Sequence, residues 1–144
     1  MNPACRCLGN ISLFLLSFTT FACDDIEITS AWVREPPPLS DVAAAYFIAR
    51  NVGANAAMIE SARSSCCQTV DLHVTTIQDE RARMQHINEL MIAAGDSISL
   101  EPGAAHLMLS TPVAPISHGQ VINIAFSCSV GTPMTVKFDV VAKH

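Results

Sequence analysis

Residues 134–140 read Met134-Thr135-Val136-Lys137-Phe138-Asp139-Val140, an unbroken alternation of apolar and polar side chains. Successive side chains of an extended chain point to opposite faces. The period of two therefore lays Met134, Val136, Phe138 and Val140 on one face and Thr135, Lys137 and Asp139 on the other. That is a strand with one face in a core. Working outward, Ile122, Ile124 and Phe126 repeat the pattern, and Val70, Leu72 and Val74 alternate with Asp71, His73 and Thr75. Strands are predicted over Ile26–Arg34, Ala44–Asn51, Ala57–Ala62, Val70–Ile77, Arg83–Ile87, Ser97–Leu100, His106–Leu109, Val121–Ser127 and Thr135–Val141. Turn-forming residues separate them, among them Glu35-Pro36-Pro37-Pro38, Ala94-Gly95-Asp96, Glu101-Pro102-Gly103 and Ser117-His118-Gly119. The one helix candidate, 79–94, has no continuous apolar stripe. Short strands at this spacing predict an all-β domain, an antiparallel β-sandwich or barrel.

The chain has 144 residues, enough for one domain, and half are apolar, enough for a core. A formal net charge of −5 argues against nucleic acid and against an electrostatic hold on anionic lipid. Charged residues make up only 15%, too few for a disordered acidic tail, and 6% aromatics are too few for a stacking platform. Residues 1–22 read as a signal peptide. Arg6 is followed by the apolar run Ile11–Ala22, too short to span a bilayer, and Thr20-Phe21-Ala22 offers a small-x-small cleavage site. The domain is then 23–144, and it is expected to be exported. Cys23 follows Ala22 directly and is also a candidate lipidation site, although the Leu usual three residues earlier is Thr20.

Cys23, Cys66, Cys67 and Cys128 remain after cleavage and read as disulfide candidates in an oxidising compartment. Strand parity puts Cys66 with Val70 and Leu72, and Cys128 with Ile124 and Phe126. A Cys66–Cys128 bridge is therefore the expectation. Trp32 reads as a core aromatic, His118 as a turn residue, and Met58, Met91 and Met134 as core or half-exposed fillers.

The residues that bear chemistry are His73, Met84, His106 and Met108. In a strand, His106 and Met108 share a face, while Leu107 and Leu109 point away from it. His73 lies on the face opposite Val70 and Leu72. His86 shares a strand face with Met84 and is a candidate fifth ligand. The spacing is H-x10-M-x21-H-x-M.

With this spacing the chain resembles the periplasmic copper chaperones called PCu(A)C. The resemblance extends to Ala31-Trp32-Val33-Arg34, Ala43-Ala44-Ala45-Tyr46, Val70-Asp71-Leu72-His73 and Leu100-Glu101-Pro102-Gly103 followed by His106-Leu107-Met108-Leu109. It implies a cupredoxin-like Greek-key fold and one Cu(I) held by His73, Met84, His106 and Met108. It further implies delivery to the CuA subunit of cytochrome c oxidase, alongside Sco-type copper proteins. The chain departs from the family pattern in three places. Val74 and Thr75 stand where a Met is common, and Ala82-Arg83-Met84-Gln85-His86 keeps only the second Met of Met-x-Met-Arg-Pro. Ala142-Lys143-His144 stands where some members carry a Met- and His-rich tail with a Cu(II) site.

The chemistry of the four residues is consistent with this. Thioethers are soft, neutral donors that select Cu(I), and imidazole also suits copper. Thioethers also survive an oxidising compartment that consumes exposed thiols. Competing readings lack their residues. A blue-copper carrier needs a Cys, two His and an axial Met, and no His follows Cys128 before His144. An enzyme would need a nucleophile or metal-pair motif, and neither Gly-x-Ser-x-Gly nor His-x-His occurs. A metal-free adhesion or assembly module is the alternative that copper titration separates.

Overall fold

The computed structural model describes residues 23–78, 81–129 and 131–142. Residues 1–22, where a signal peptide is expected, lie outside the described residues. A 3-10 turn, Cys23–Asp25, leads into ten strands: β1 Ile26–Arg34, β2 Val42–Asn51, β3 Ala57–Arg63, β4 Cys67–Gln78, β5 Arg81–Ile87, β6 Leu90–Ile92, β7 Ser97–Leu100, β8 Ala105–Pro112, β9 Val121–Cys128 and β10 Met134–Val141. There is no α-helix among the described residues. All nine predicted strands are present. The unpredicted β6 is three residues long, Leu90-Met91-Ile92, too short to show a period, yet Leu90 and Ile92 are buried.

Seven strands close on themselves in the order β4-β8-β2-β1-β10-β9-β3, and Ala62 of β3 pairs with Val70 of β4 to complete the ring. Beyond the ring, β5 extends from β4, β6 from β3, and β7 from β2. The pairings are antiparallel except one: β1 runs parallel to β10, Val33 opposite Val140. The expected antiparallel barrel is thus sealed by one parallel seam.

Inward positions fill the ring. Phe47, Phe126 and Phe138 form its centre, with centroids 5.4, 6.0 and 6.3 Å apart. Around them lie Val33, Leu107, Leu109, Ile122, Ile124 and Val140. Buried aromatic and aliphatic area supplies most of the driving force for such a fold.

Two local irregularities change which side chains face inward. In β1 the register to β2 slips by one residue between Thr29 and Trp32, where Ser30 has φ 52°. This extra residue re-aims the rest of the strand. Val33 is therefore fully buried while Trp32 turns outward and stacks on Tyr46, 4.5 Å between centroids. Trp32, expected in the core, lies instead on the outer face because the inserted residue re-aims the strand beyond Thr29.

The second correction concerns the disulfide. Cys23 is bonded to Cys128, while Cys66 and Cys67 are free. At the start of β4 the burial sequence is buried, exposed, exposed, buried over Cys67, Gln68, Thr69 and Val70. Opposite it, Thr111 of β8 has φ 52°. Parity extrapolated back from Val70 therefore picks the wrong cysteine, since Cys67 turns inward and Cys66 sits in the preceding turn. Cys128 does face inward as expected, but the Cys23–Asp25 turn packed against β3 and β9 supplies its partner. A sulfur in a disulfide has no free valence for a lipid thioether, so the bridge and lipidation of Cys23 exclude one another.

Candidate metal centre

The four sequence-selected residues fall on three adjacent strands, β5, β4 and β8. On β8, Leu107 is 3% exposed and Leu109 is fully buried in the core. The pleat then forces His106 and Met108 onto the outer face, where both are half-buried. On β4, the inward Val70 and Leu72 set His73 outward in the same way. β5 pairs only with β4, and its residues are almost all exposed, Met84 at 62%.

Register completes the arrangement. His73 stands opposite His106 of β8 and opposite His86 of β5. Three imidazoles therefore lie abreast across three strands, His73 in the middle, with ring centroids 5.5 Å from His86 and 5.9 Å from His106. Directly paired residues on one face are the closest side-chain neighbours a sheet provides. Met84 lies two residues before His86 and opposite Thr75, and Met108 lies two after His106 and opposite Asp71.

Met84, His106 and Met108 line one outer cleft of about 400 Å³ with Arg34, Tyr46 and Pro37. Part of its wall is the β1–β2 loop expected from Pro36-Pro37-Pro38. The loop is tied down by Glu35, whose backbone N–H donates to Val141 O and whose Oε1 accepts from the His118 N–H. A separate cavity of about 330 Å³ is lined by the core residues Phe47, Leu107 and Phe126 together with Asp71 and His86. None of His73, Met84, His106 or Met108 lines it.

Sequence reasoning assigned no role to Arg34 and Tyr46, although both lie in segments that carried the family resemblance. Tyr46 is buried, with its ring 6.4 Å from His106. The Arg34 guanidinium sits 5.7 Å from the Tyr46 ring and 6.0 Å from Trp32, cation–π distances for both. Parity from Val33 and Ala45 would have placed both side chains on this outer face.

The electrostatics favour neutral donors. Burial holds the His106 pKa below the usual imidazole value, and charge on His73 lowers it further. The ring is then uncharged near neutral pH, with a lone pair free to bind metal. His73 Nδ1 is buried with no hydrogen-bond partner. Such an unpaired group costs about 1–3 kcal/mol, which a metal bound to His73 would help to offset. Among the described residues no three His, Cys, Asp or Glu side chains converge on one point, so a set of three or more protein donors here would have to draw on the thioethers.

The fold thus gathers two imidazoles and two thioethers, side chains of the kind soft metals favour, on one outer face of a seven-stranded barrel. The chain belongs to the LpqE-like family ("Putative lipoprotein LpqE-like"), which matches residues 26–140. It is 31% identical over 114 residues to "Putative lipoprotein Lxx21020" of Leifsonia xyli subsp. xyli, covering 78% of this chain and 68% of that protein. The fold is that of PCuAC domains, cupredoxin-like as the resemblance implied. The copper-bound PCuAC domain from PmoF2 matches with a TM-score of 0.71 at 16% identity, covering 88% of this chain and all of that domain. The solution structure of Cu(I)-DR1885 from Deinococcus radiodurans matches with a TM-score of 0.64 at 25% identity, covering 77% of this chain and 74% of that one.

Proposed function

We propose that this protein is an exported copper chaperone that holds one Cu(I) through His73, Met84, His106 and Met108. The observation that carries the proposal is the shared outer face. Three of the four side chains line one cleft, and the fourth, His73, lies beside His106 with an unpartnered buried nitrogen. Two imidazoles and two thioethers form a neutral set, so the complex keeps the ion's single positive charge. The donor set is soft enough to prefer Cu(I) to zinc or magnesium. With no thiolate and an open cleft, the ion can be handed on. The copper named in the descriptions of the PmoF2 and DR1885 structures supports the same cargo. The lipoprotein descriptions of the family and of the Leifsonia relative support export. Delivery is to the CuA subunit of cytochrome c oxidase, in a periplasmic setting with Sco-type proteins as co-donors.

The test is an anaerobic competition titration of Cu(I) between the protein and a chromophoric chelator. One equivalent bound, and weaker binding in both His106→Ala and Met108→Ala, is the expected result. Binding unchanged in both variants refutes the assignment.

A further inference from the structure

His86 is not part of the four-residue set, yet the fold puts it directly opposite His73. Two imidazoles on one ion, each with a metal–nitrogen bond of about 2.0 Å, have ring centroids about 4.5 Å apart at right angles and about 6.3 Å apart when trans. The His73–His86 separation of 5.5 Å with a T-shaped orientation falls inside that range. The His86 side chain is exposed, so it is open to an arriving ion. Asp71 lines the same cavity as His86, which adds negative charge nearby.

We propose that His86 and His73 form a second, outer copper position on the β4–β5 hairpin, one that takes Cu(II). This rests on the copper reading of the inner quartet and extends it. The outer pair is all nitrogen, with coordination completed by water, and nitrogen and oxygen donors favour Cu(II) where thioethers favour Cu(I). His73 is common to both positions, its ring standing 5.5 Å from His86 and 5.9 Å from His106. It can serve one ion at a time, so occupancy of the outer and inner positions is mutually exclusive. Each oxidation state thus has its own position, Cu(II) at the exposed edge and Cu(I) beside the sulfurs, with no electron transfer between the two.

The experiment compares wild type, His86→Ala and His73→Ala in two arms. One is Cu(II) titration against glycine with paramagnetic resonance detection, and the other is anaerobic Cu(I) competition. His86→Ala should weaken Cu(II) binding by at least about tenfold and leave Cu(I) affinity within about twofold, while His73→Ala weakens both. Three results overturn the proposal: no Cu(II) binding by wild type, Cu(II) affinity unchanged in His86→Ala, or an equal loss of Cu(I) affinity in that variant. The last would make His86 a fifth ligand of the inner site. Failure of wild type to bind Cu(I) refutes the proposed function instead, and the Cu(II) arm still decides the role of His86.

Discussion

Reduction of the Cys23–Cys128 bridge gives a sharp test of the fold. The bond joins residues 105 apart, so it ties the segment before β1 to the end of β9. Closing a loop of about that length removes roughly 4.7 kcal/mol of denatured-state entropy. Unfolding entropy near 2.1 cal/mol/K per residue gives about 0.25 kcal/mol/K for a domain of this size, so the bridge is worth about 15–20 °C in Tm. Cys66 and Cys67 are free, so a reductant acts on this one bond among the described residues. The assay is thermal unfolding of the mature protein with and without phosphine reductant, repeated on Cys66→Ser/Cys67→Ser. The gap should be the same in both. A gap below about 5 °C would refute the entropic reasoning. A gap that vanishes in the double variant, or a mapped peptide joining Cys128 to Cys66, would refute the pairing itself.

Neighbouring residues on β8 should behave oppositely. Leu109→Ala, at a fully buried position, should cost about 2–5 kcal/mol in denaturant unfolding. Met108→Ala, on the half-buried outer face, should cost less than that and weaken Cu(I) binding. The two free thiols should differ in reactivity. Burial, reinforced by the neighbouring Cys66 and by Asp71, pushes the Cys67 thiol up to about 12. Native protein at pH 8 should therefore show one fast-reacting thiol, Cys66, and denatured protein two. Stability of the metal-free protein should fall with acid. The His106 pKa is lower folded than unfolded, so below the usual 6.5 the unfolded chain takes up a proton that the folded one refuses. That contribution is intact above pH 6.5 and is lost as pH falls toward the folded value. Urea unfolding of wild type and His106→Gln at pH 7.5 and 5.0 checks it, with a shallower pH dependence expected in the variant.

The strands were legible because a half-buried strand writes its two faces into alternate residues, as Met134 to Val140 show. Alternation fails where the backbone inserts or twists a residue. The bulge at Ser30 turned Trp32 outward, and the break in burial across Cys67–Val70, opposite Thr111, exchanged the cysteine that faces the core. No composition signal marks either place. The candidate donors could be picked out because H-x10-M-x21-H-x-M is a long and specific spacing. Their adjacency could not, because it depends on β4 lying between β5 and β8, a pairing between segments more than thirty residues apart in the case of His73 and His106. For the same reason the opposition of His86 and His73, and the approach of the Tyr46 ring to His106, became visible only with the register.

X-ray absorption of the protein loaded anaerobically with one equivalent of Cu(I), recorded for wild type, Cys66→Ser/Cys67→Ser and Met84→Ala/Met108→Ala, tests the central assignment most directly. The account predicts two sulfur and two nitrogen scatterers in wild type, the same shell when both free cysteines are replaced, and loss of the sulfur shell when both methionines are replaced. A sulfur shell that disappears with the cysteines and persists without the methionines would place the copper on the vicinal thiols and contradict the account.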